Sequence, residues 1–228
     1  MVETILFDLD DTLLDFGKAE ASALRRVLTE IGAPADNAIL ARYHGINQRQ
    51  WELLELGQTT RAQLRIRRFE ILFDELGVPC DPQAVCDRYE QYLGEGHWFM
   101  PGAQALLETL APKYNLYLVS NGSAHVQRSR LKITDIARYF KGIFISHELG
   151  VDKPSREYFD RCFAAMPEVN KETTVIVGDS LTSDILGGKN AGIRTCWYNP
   201  KGKAARPDIC PDYEFDDLAD LPALLERI

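Results

Sequence analysis

Short apolar segments alternate with amphipathic helical segments through the second half of the chain, and nothing else in the sequence constrains the fold as strongly. After Pro101-Gly102, a helical pattern over 103–110 precedes an apolar run at 116–120. Helical patterns over 124–131, 157–165 and 184–191 precede apolar runs at 143–146, 174–177 and 195–198. Residues 4–9 read as a further short buried strand. Apolar strands joined by helices imply βαβ units and a parallel sheet. Right-handed crossovers then cover both faces with helices. The expected fold class is α/β, a Rossmann-like parallel sheet core with an inserted α-helical domain.

The insertion follows from a change of period. From about residue 17 to 95 the pattern is helical, with no convincing strand. Ala62, Ile66, Phe69, Phe73 and Leu76 lie at 4-3-4-3 spacing, which predicts one buried helical face. Thr60 with Gln63 predicts a capping box at its start. Leu24, Val27, Leu28 and Ile31 form a similar stripe. The expected domains are 1–15 with 97–228 as the α/β core and 16–96 as the helical unit.

Charge and cysteine usage exclude several function classes. The formal net charge is -8, which disfavours a nucleic-acid backbone or an anionic membrane as partner. No apolar run approaches the roughly 18 residues of a membrane span. No basic stretch precedes the first strand, so a signal peptide is not expected. The five cysteines form no zinc-binding spacing and suit a reducing, cytoplasmic setting. The expected partner is a small molecule.

In open parallel sheets, ligands bind beyond the carboxyl ends of the strands. After the first strand comes Asp8-Leu9-Asp10-Asp11-Thr12. Residues two apart on an extended chain point the same way, so Asp8 and Asp10 can share one site, with a cation as natural counter-charge. After the second strand, Ser120-Asn121-Gly122-Ser123 offers a hydroxyl, an amide and a glycine for an anion. Beyond the third, Lys153 precedes Pro154, and Ser155 reads as an N-cap. After the fourth, Asp179 ends the strand and Asp184 lies in the first helical turn. Each group alone is also an ordinary turn, cap or solvated charge. Together they form a chemically complete set at the four places where binding is expected.

These four motifs, in this order, resemble the haloacid dehalogenase (HAD) superfamily. Gly188-Lys189-Asn190-Ala191-Gly192-Ile193 resembles the usual continuation of the fourth motif, and the helical insertion looks like that family's cap. The resemblance covers essentially the whole chain. It implies Mg²⁺ held by Asp8, Asp179 and the backbone carbonyl of Asp10, with Asp184 behind them. It implies Asp8 as nucleophile, forming an aspartyl phosphate, and Asp10 as the acid and then the base. Ser120, Asn121 and Lys153 would hold the phosphoryl group. Dehalogenases proper lack the second aspartate and need no metal, so Asp10 argues against that branch. Phosphonate hydrolases use a cap lysine, and the cap's only lysine, Lys18, stands at its very start. Sugar-phosphate mutases stay open. Receiver domains also combine aspartates, a hydroxyl and a lysine, but their phosphoacceptor ends the third strand, whereas Asp8 ends the first.

Within the helical unit, Ile46-Asn47-Gln48-Arg49-Gln50-Trp51, Glu55-Leu56-Gly57, Thr60-Arg61 and Arg68-Phe69 are similar to the YjjG-like pyrimidine 5'-nucleotidases. That similarity implies nucleoside monophosphates as substrates. Other small phosphates, such as a sugar phosphate or phosphoglycolate, are the alternative. Asn47 and Trp51 stand at i, i+4, where an amide and an aromatic ring could bond and stack a base.

Overall fold

The computed structural model describes all 228 residues. The chain divides into two compact units, Met1–Asp15 with His97–Ile228 and Phe16–Gly96.

In the first unit, six strands form one parallel sheet: β1 (Thr4–Phe7), β2 (Asn115–Ser120), β3 (Gly142–Ile145), β4 (Thr174–Gly178), β5 (Arg194–Tyr198) and β6 (Tyr213–Phe215). Their order is β3-β2-β1-β4-β5-β6. All four residues of β1 are buried, as expected of a central strand with β2 on one side and β4 on the other. The period of two divides the side chains between the faces. Ile5, Phe7, Leu118, Val175 and Val177 join one apolar cluster, while Leu6, Tyr117, Val119 and Ile176 join the other. Helices α5 (Ala103–Leu110) and α10 (Leu221–Leu225) supply the first cluster. Helix α8 (Arg156–Ala164) supplies Tyr158, Phe159 and Cys162 to the second. Strand order reverses direction between β1 and β4, which opens the crevice where an α/β sheet binds ligands.

The boundaries differ from the sequence expectation in a few places. Ser146 opens a short helix, α7 (Ser146–Leu149), rather than ending β3. The helix expected over 184–191 begins earlier, as a π-helical turn (Leu181–Ile185) that runs into α9 (Leu186–Ala191). Strand β6 and helix α10 are new, because three and five residues are too few to carry a periodic signal.

The second unit is four helices: α1 (Phe16–Glu30), α2 (Asn37–Glu55), α3 (Arg61–Leu76) and α4 (Pro82–Leu93). Asp36, Thr60 and Asp81 cap α2, α3 and α4, and Thr60 with Gln63 forms the expected capping box. Tyr43, Phe69 and Tyr89 pack with ring centroids 5.2–5.7 Å apart. The buried face of α3 differs from the expected stripe. It consists of Leu64, Arg68, Phe69, Leu72 and Phe73, while Ala62 is exposed. Ile31 lies beyond the end of α1 and is exposed too. The α3 stripe is displaced because an arginine occupies a core position. Arg68 donates to Asn47 Oδ1 at 3.0 Å and lies 3.6 Å from Glu90. Asn47 donates in turn to Glu20 Oε1 at 2.7 Å. All four polar residues are buried, so a paired network, not apolar contact alone, specifies this helix packing. No helix in either unit is long and apolar enough to cross a membrane.

Candidate active site

The site is built where β1 and β4 end. The amide of Asp8 donates to Val177 O at 2.9 Å, which extends the ladder one residue past β1 and fixes Asp8 against its neighbour. The chain then turns sharply. Asp11 takes a left-handed backbone at φ 56°, a conformation aspartate tolerates better than most residues, and its amide donates to Leu14 O at 2.8 Å. Across the crevice, Gly178 allows Asp184 to tuck beneath the strand end. A Cβ at that position would lie 2.2 Å from Asp184 Oδ2. The π-helical turn adds a cap of its own, since Ser180 Oγ accepts from the Ser183 amide at 3.1 Å. The Ser180 amide holds Asp184 Oδ2 at 3.1 Å.

Asp8, Asp179 and Asp184 each present a carboxylate oxygen within 4.8 Å of the others. Lys153 lies among them, only 1% exposed. Its ammonium donates to Asp8 Oδ1 and Asp184 Oδ1, both at 2.7 Å, and to Val119 O at 2.8 Å, so all three of its protons are engaged. Asp179 accepts from Lys203 Nζ at 2.7 Å. Burial pushes the Asp8 carboxyl well above its ordinary range. Lys153 opposes that rise, and the neighbouring Asp184, Asp10 and Asp179 add to it. Burial likewise raises Asp179 to about 6 against the pull of Lys203. Two buried carboxylates and a partly buried third, beside the Lys153 and Lys203 ammoniums, leave the cluster one positive charge short when all three are ionised. An all-oxygen donor set of this kind suits a hard divalent cation such as Mg²⁺.

The phosphate-binding candidates take less direct positions. Asn121 clamps the backbone of Lys153: its Oδ1 accepts from the Lys153 amide at 2.9 Å and its Nδ2 donates to Lys153 O at 2.8 Å. The Lys153–Pro154 peptide is cis, and Ser155 caps α8 as expected. Ser120 is fully buried and its Oγ accepts from Gln127 Nε2 at 2.9 Å.

The carboxylate of Asp10 lies outside the trio of Asp8, Asp179 and Asp184. It is held instead from helix α6 (Ala124–Thr134). Gln127 Nε2 donates to Asp10 Oδ2 at 2.6 Å, and Arg130 Nη1 makes a short contact with Oδ1. Sequence reasoning missed both residues. The available signal was their place on the buried stripe of α6, beside Val126 and Leu131: polar residues on a core-facing stripe need partners. It also missed Lys203, which reaches Asp179 from the loop after β5. The specificity candidates Asn47 and Trp51 belong to the helical unit and differ from each other. Asn47 is buried with both ends of its amide bonded, so it is not a free base-reading group. Trp51 is half-buried, with the Arg61 guanidinium 5.4 Å above its ring.

The family model for haloacid dehalogenase-like hydrolases matches residues 5–198. The HAD-hydrolase YfnB of Bacillus subtilis is 42% identical over 97% of this chain and 94% of its own. Its crystal structure, described as bound to magnesium, matches with a TM-score of 0.95 over 98% of both chains. The pyrimidine 5'-nucleotidase PynA of Streptococcus pneumoniae is 37% identical over 98% of this chain and 94% of its own. The pyrimidine 5'-nucleotidase YjjG of Escherichia coli is 30% identical over 97% and 96%. With its motif carboxylates gathered at the β1–β4 crevice and these matches running end to end, the chain belongs to the haloacid dehalogenase-like hydrolase family.

Proposed function

We propose that this hydrolase is a Mg²⁺-dependent phosphomonoesterase acting through an aspartyl phosphate on Asp8, with pyrimidine nucleoside 5'-monophosphates as its substrate class. The observation that carries the reading is the cluster of Asp8, Asp179 and Asp184, with the buried Lys153 ammonium bonded to Asp8 and Asp184. Asp8 attacks phosphorus, the bond to the leaving oxygen breaks, and Asp10 supplies that oxygen with a proton. Asp10 then takes a proton from water as the water attacks phosphorus, which releases phosphate and restores Asp8. When bound, Mg²⁺ supplies positive charge that offsets the repulsion between carboxylate and phosphate dianion. Lys153 adds charge of the same sign, and Asn121 keeps it in place through its backbone.

Metal binding should depend on pH through Asp179. Its carboxyl is raised to about 6 in the fold. A raised carboxyl contributes stability below its ordinary range and loses that contribution as pH rises through about 6. Ionised Asp179 therefore costs the metal-free protein stability above that pH, and Mg²⁺ offsets the cost there. A hundred-fold excess of Mg²⁺ over Kd should raise Tm by roughly 5–10 °C at about pH 7.5. The shift should fall to less than half at about pH 5. EDTA should abolish turnover and Mg²⁺ restore it. A thermal shift independent of pH would remove Asp179 from the ligand set.

The substrate class rests on two nucleotidases among the relatives and on Trp51, a partly exposed aromatic surface in the helical unit. Trp51→Ala should lower kcat/KM for pyrimidine nucleotides roughly 5- to 150-fold, the equivalent of one lost base stack of about 1–3 kcal/mol. Hydrolysis of p-nitrophenyl phosphate should change far less, and equal losses on both would make Trp51 structural. The deciding experiment is phosphate release from nucleoside monophosphates, sugar phosphates and phosphoglycolate with Mg²⁺. Highest kcat/KM on pyrimidine nucleotides is expected. A preferred sugar phosphate would replace the substrate class, and an isomerised product without free phosphate would indicate a mutase.

A further inference from the structure

Helix α6 reaches back to the second motif aspartate with two buried side chains that the proposed chemistry does not itself use. Arg130 is 1% exposed and Gln127 2%. A buried guanidinium has to be paired, and here its partner is the carboxylate of Asp10. Gln127 bonds three groups at once. Its Nε2 donates to Asp10 Oδ2 at 2.6 Å and to Ser120 Oγ at 2.9 Å, and its Oε1 accepts from Arg130 Nη1 at 3.2 Å. Both oxygens of Asp10 are thus held by one rigid helix, and the same glutamine ties them to the hydroxyl at the end of β2. Gly122 makes room for this bridge, since a Cβ there would lie 2.7 Å from Gln127 Nε2.

The arrangement separates the two carboxylates that extended backbone sets two residues apart. Asp8 is bound to Lys153, Asp10 to Arg130 and Gln127. A nucleophile and an acid/base that must act on opposite sides of one phosphorus need such separate anchoring. We infer that Arg130 and Gln127 are positioning residues for Asp10, fixing the proton-transferring carboxylate in register with Ser120, so that their loss impairs proton transfer to the leaving group while leaving phosphate binding intact. The inference rests on the reading of Asp10 as acid and base.

The test exploits leaving-group chemistry. A nucleoside 5'-oxygen leaves poorly without a proton, whereas p-nitrophenolate leaves unaided. In Arg130→Met, kcat for a pyrimidine nucleotide should fall about 100-fold, the scale of a misplaced catalytic group. KM should change less than about 3-fold, and the pre-steady-state burst of p-nitrophenolate less than about 5-fold. Arg130→Lys should recover part of the loss. Gln127→Met, a milder change with no buried charge removed, should show the same selectivity at roughly 10-fold and serves if Arg130→Met does not fold. In an Asp10→Asn background neither substitution should reduce the burst or turnover further. Equal losses for both leaving groups in the burst phase, which reports the first phosphoryl transfer alone, a loss confined to KM, or effects that add to those of Asp10→Asn would overturn the inference. Failure of the underlying phosphatase reading looks different, because the wild type would then release no phosphate or Asp8→Asn would remain active.

Discussion

Replacing Asp8 by asparagine is expected to reduce phosphate release by on the order of 10⁴-fold or more while the protein stays folded. The substitution keeps the side chain's shape and replaces one carboxylate oxygen by an amide nitrogen that cannot act as the nucleophile. It also removes a charge whose burial is costly, since the Asp8 carboxyl is raised well above its ordinary range. Lys153 keeps Asp184 and the Val119 carbonyl as partners, so the strand end should hold its geometry. Circular dichroism and thermal unfolding should therefore show a Tm close to wild type. Wild-type protein quenched during turnover should carry a hydroxylamine-sensitive phosphate that Asp8→Asn lacks. Near-wild-type turnover of the variant would rule out covalent catalysis at this residue.

The parts of this site that were legible in the sequence are those written in short-range geometry. Asp8 and Asp179 follow apolar runs of strand length, and the topology of a parallel sheet brings such ends together at the switch between β1 and β4. Lys153 was legible from its place beyond β3, but its partners were not. It points inward at Asp8 and Asp184, and pairs 145 and 31 residues apart in the chain leave no local trace. Arg68 and Arg130 show the same limit more sharply. Arginines on helices read as solvated, yet both are buried and paired. For Arg68 this displaced the expected face of α3, and for Arg130 it concealed the anchor of Asp10. The i, i+4 relation of Asn47 to Trp51 is visible in the sequence, while the bonds of Asn47 to Glu20 and Arg68 are not. A periodic pattern identifies which face of a helix is apolar. It does not identify which charges have found a partner in the interior.

Lys153→Met should destabilise the metal-free protein as well as abolish turnover. Burial alone would depress the Lys153 ammonium, but Asp184 and Asp8 outweigh burial and hold it above the ordinary lysine range. Its contribution to stability is then fully present below that ordinary range and lost only as pH rises beyond it, so it is constant across neutral pH. Methionine fills similar space and removes the charge. Asp8 and Asp184 are left buried without their ammonium, a change that costs about 3–5 kcal/mol when one partner of a buried pair is deleted. For a chain of this size that corresponds to a Tm lower by roughly 6–20 °C. Two further measurements separate this electrostatic cause from lost packing. Adding Asp184→Asn to Lys153→Met should restore part of the lost Tm, because one stranded charge is gone, and the two substitutions should be non-additive. Mg²⁺ should also raise the Tm of Lys153→Met by more than it raises the wild type, since the cation meets carboxylates that have lost their ammonium, yet it should not restore turnover, which needs the ammonium as well. An unchanged Tm for Lys153→Met, or strictly additive effects with Asp184→Asn, would show that Lys153 is not the charge that holds these carboxylates together.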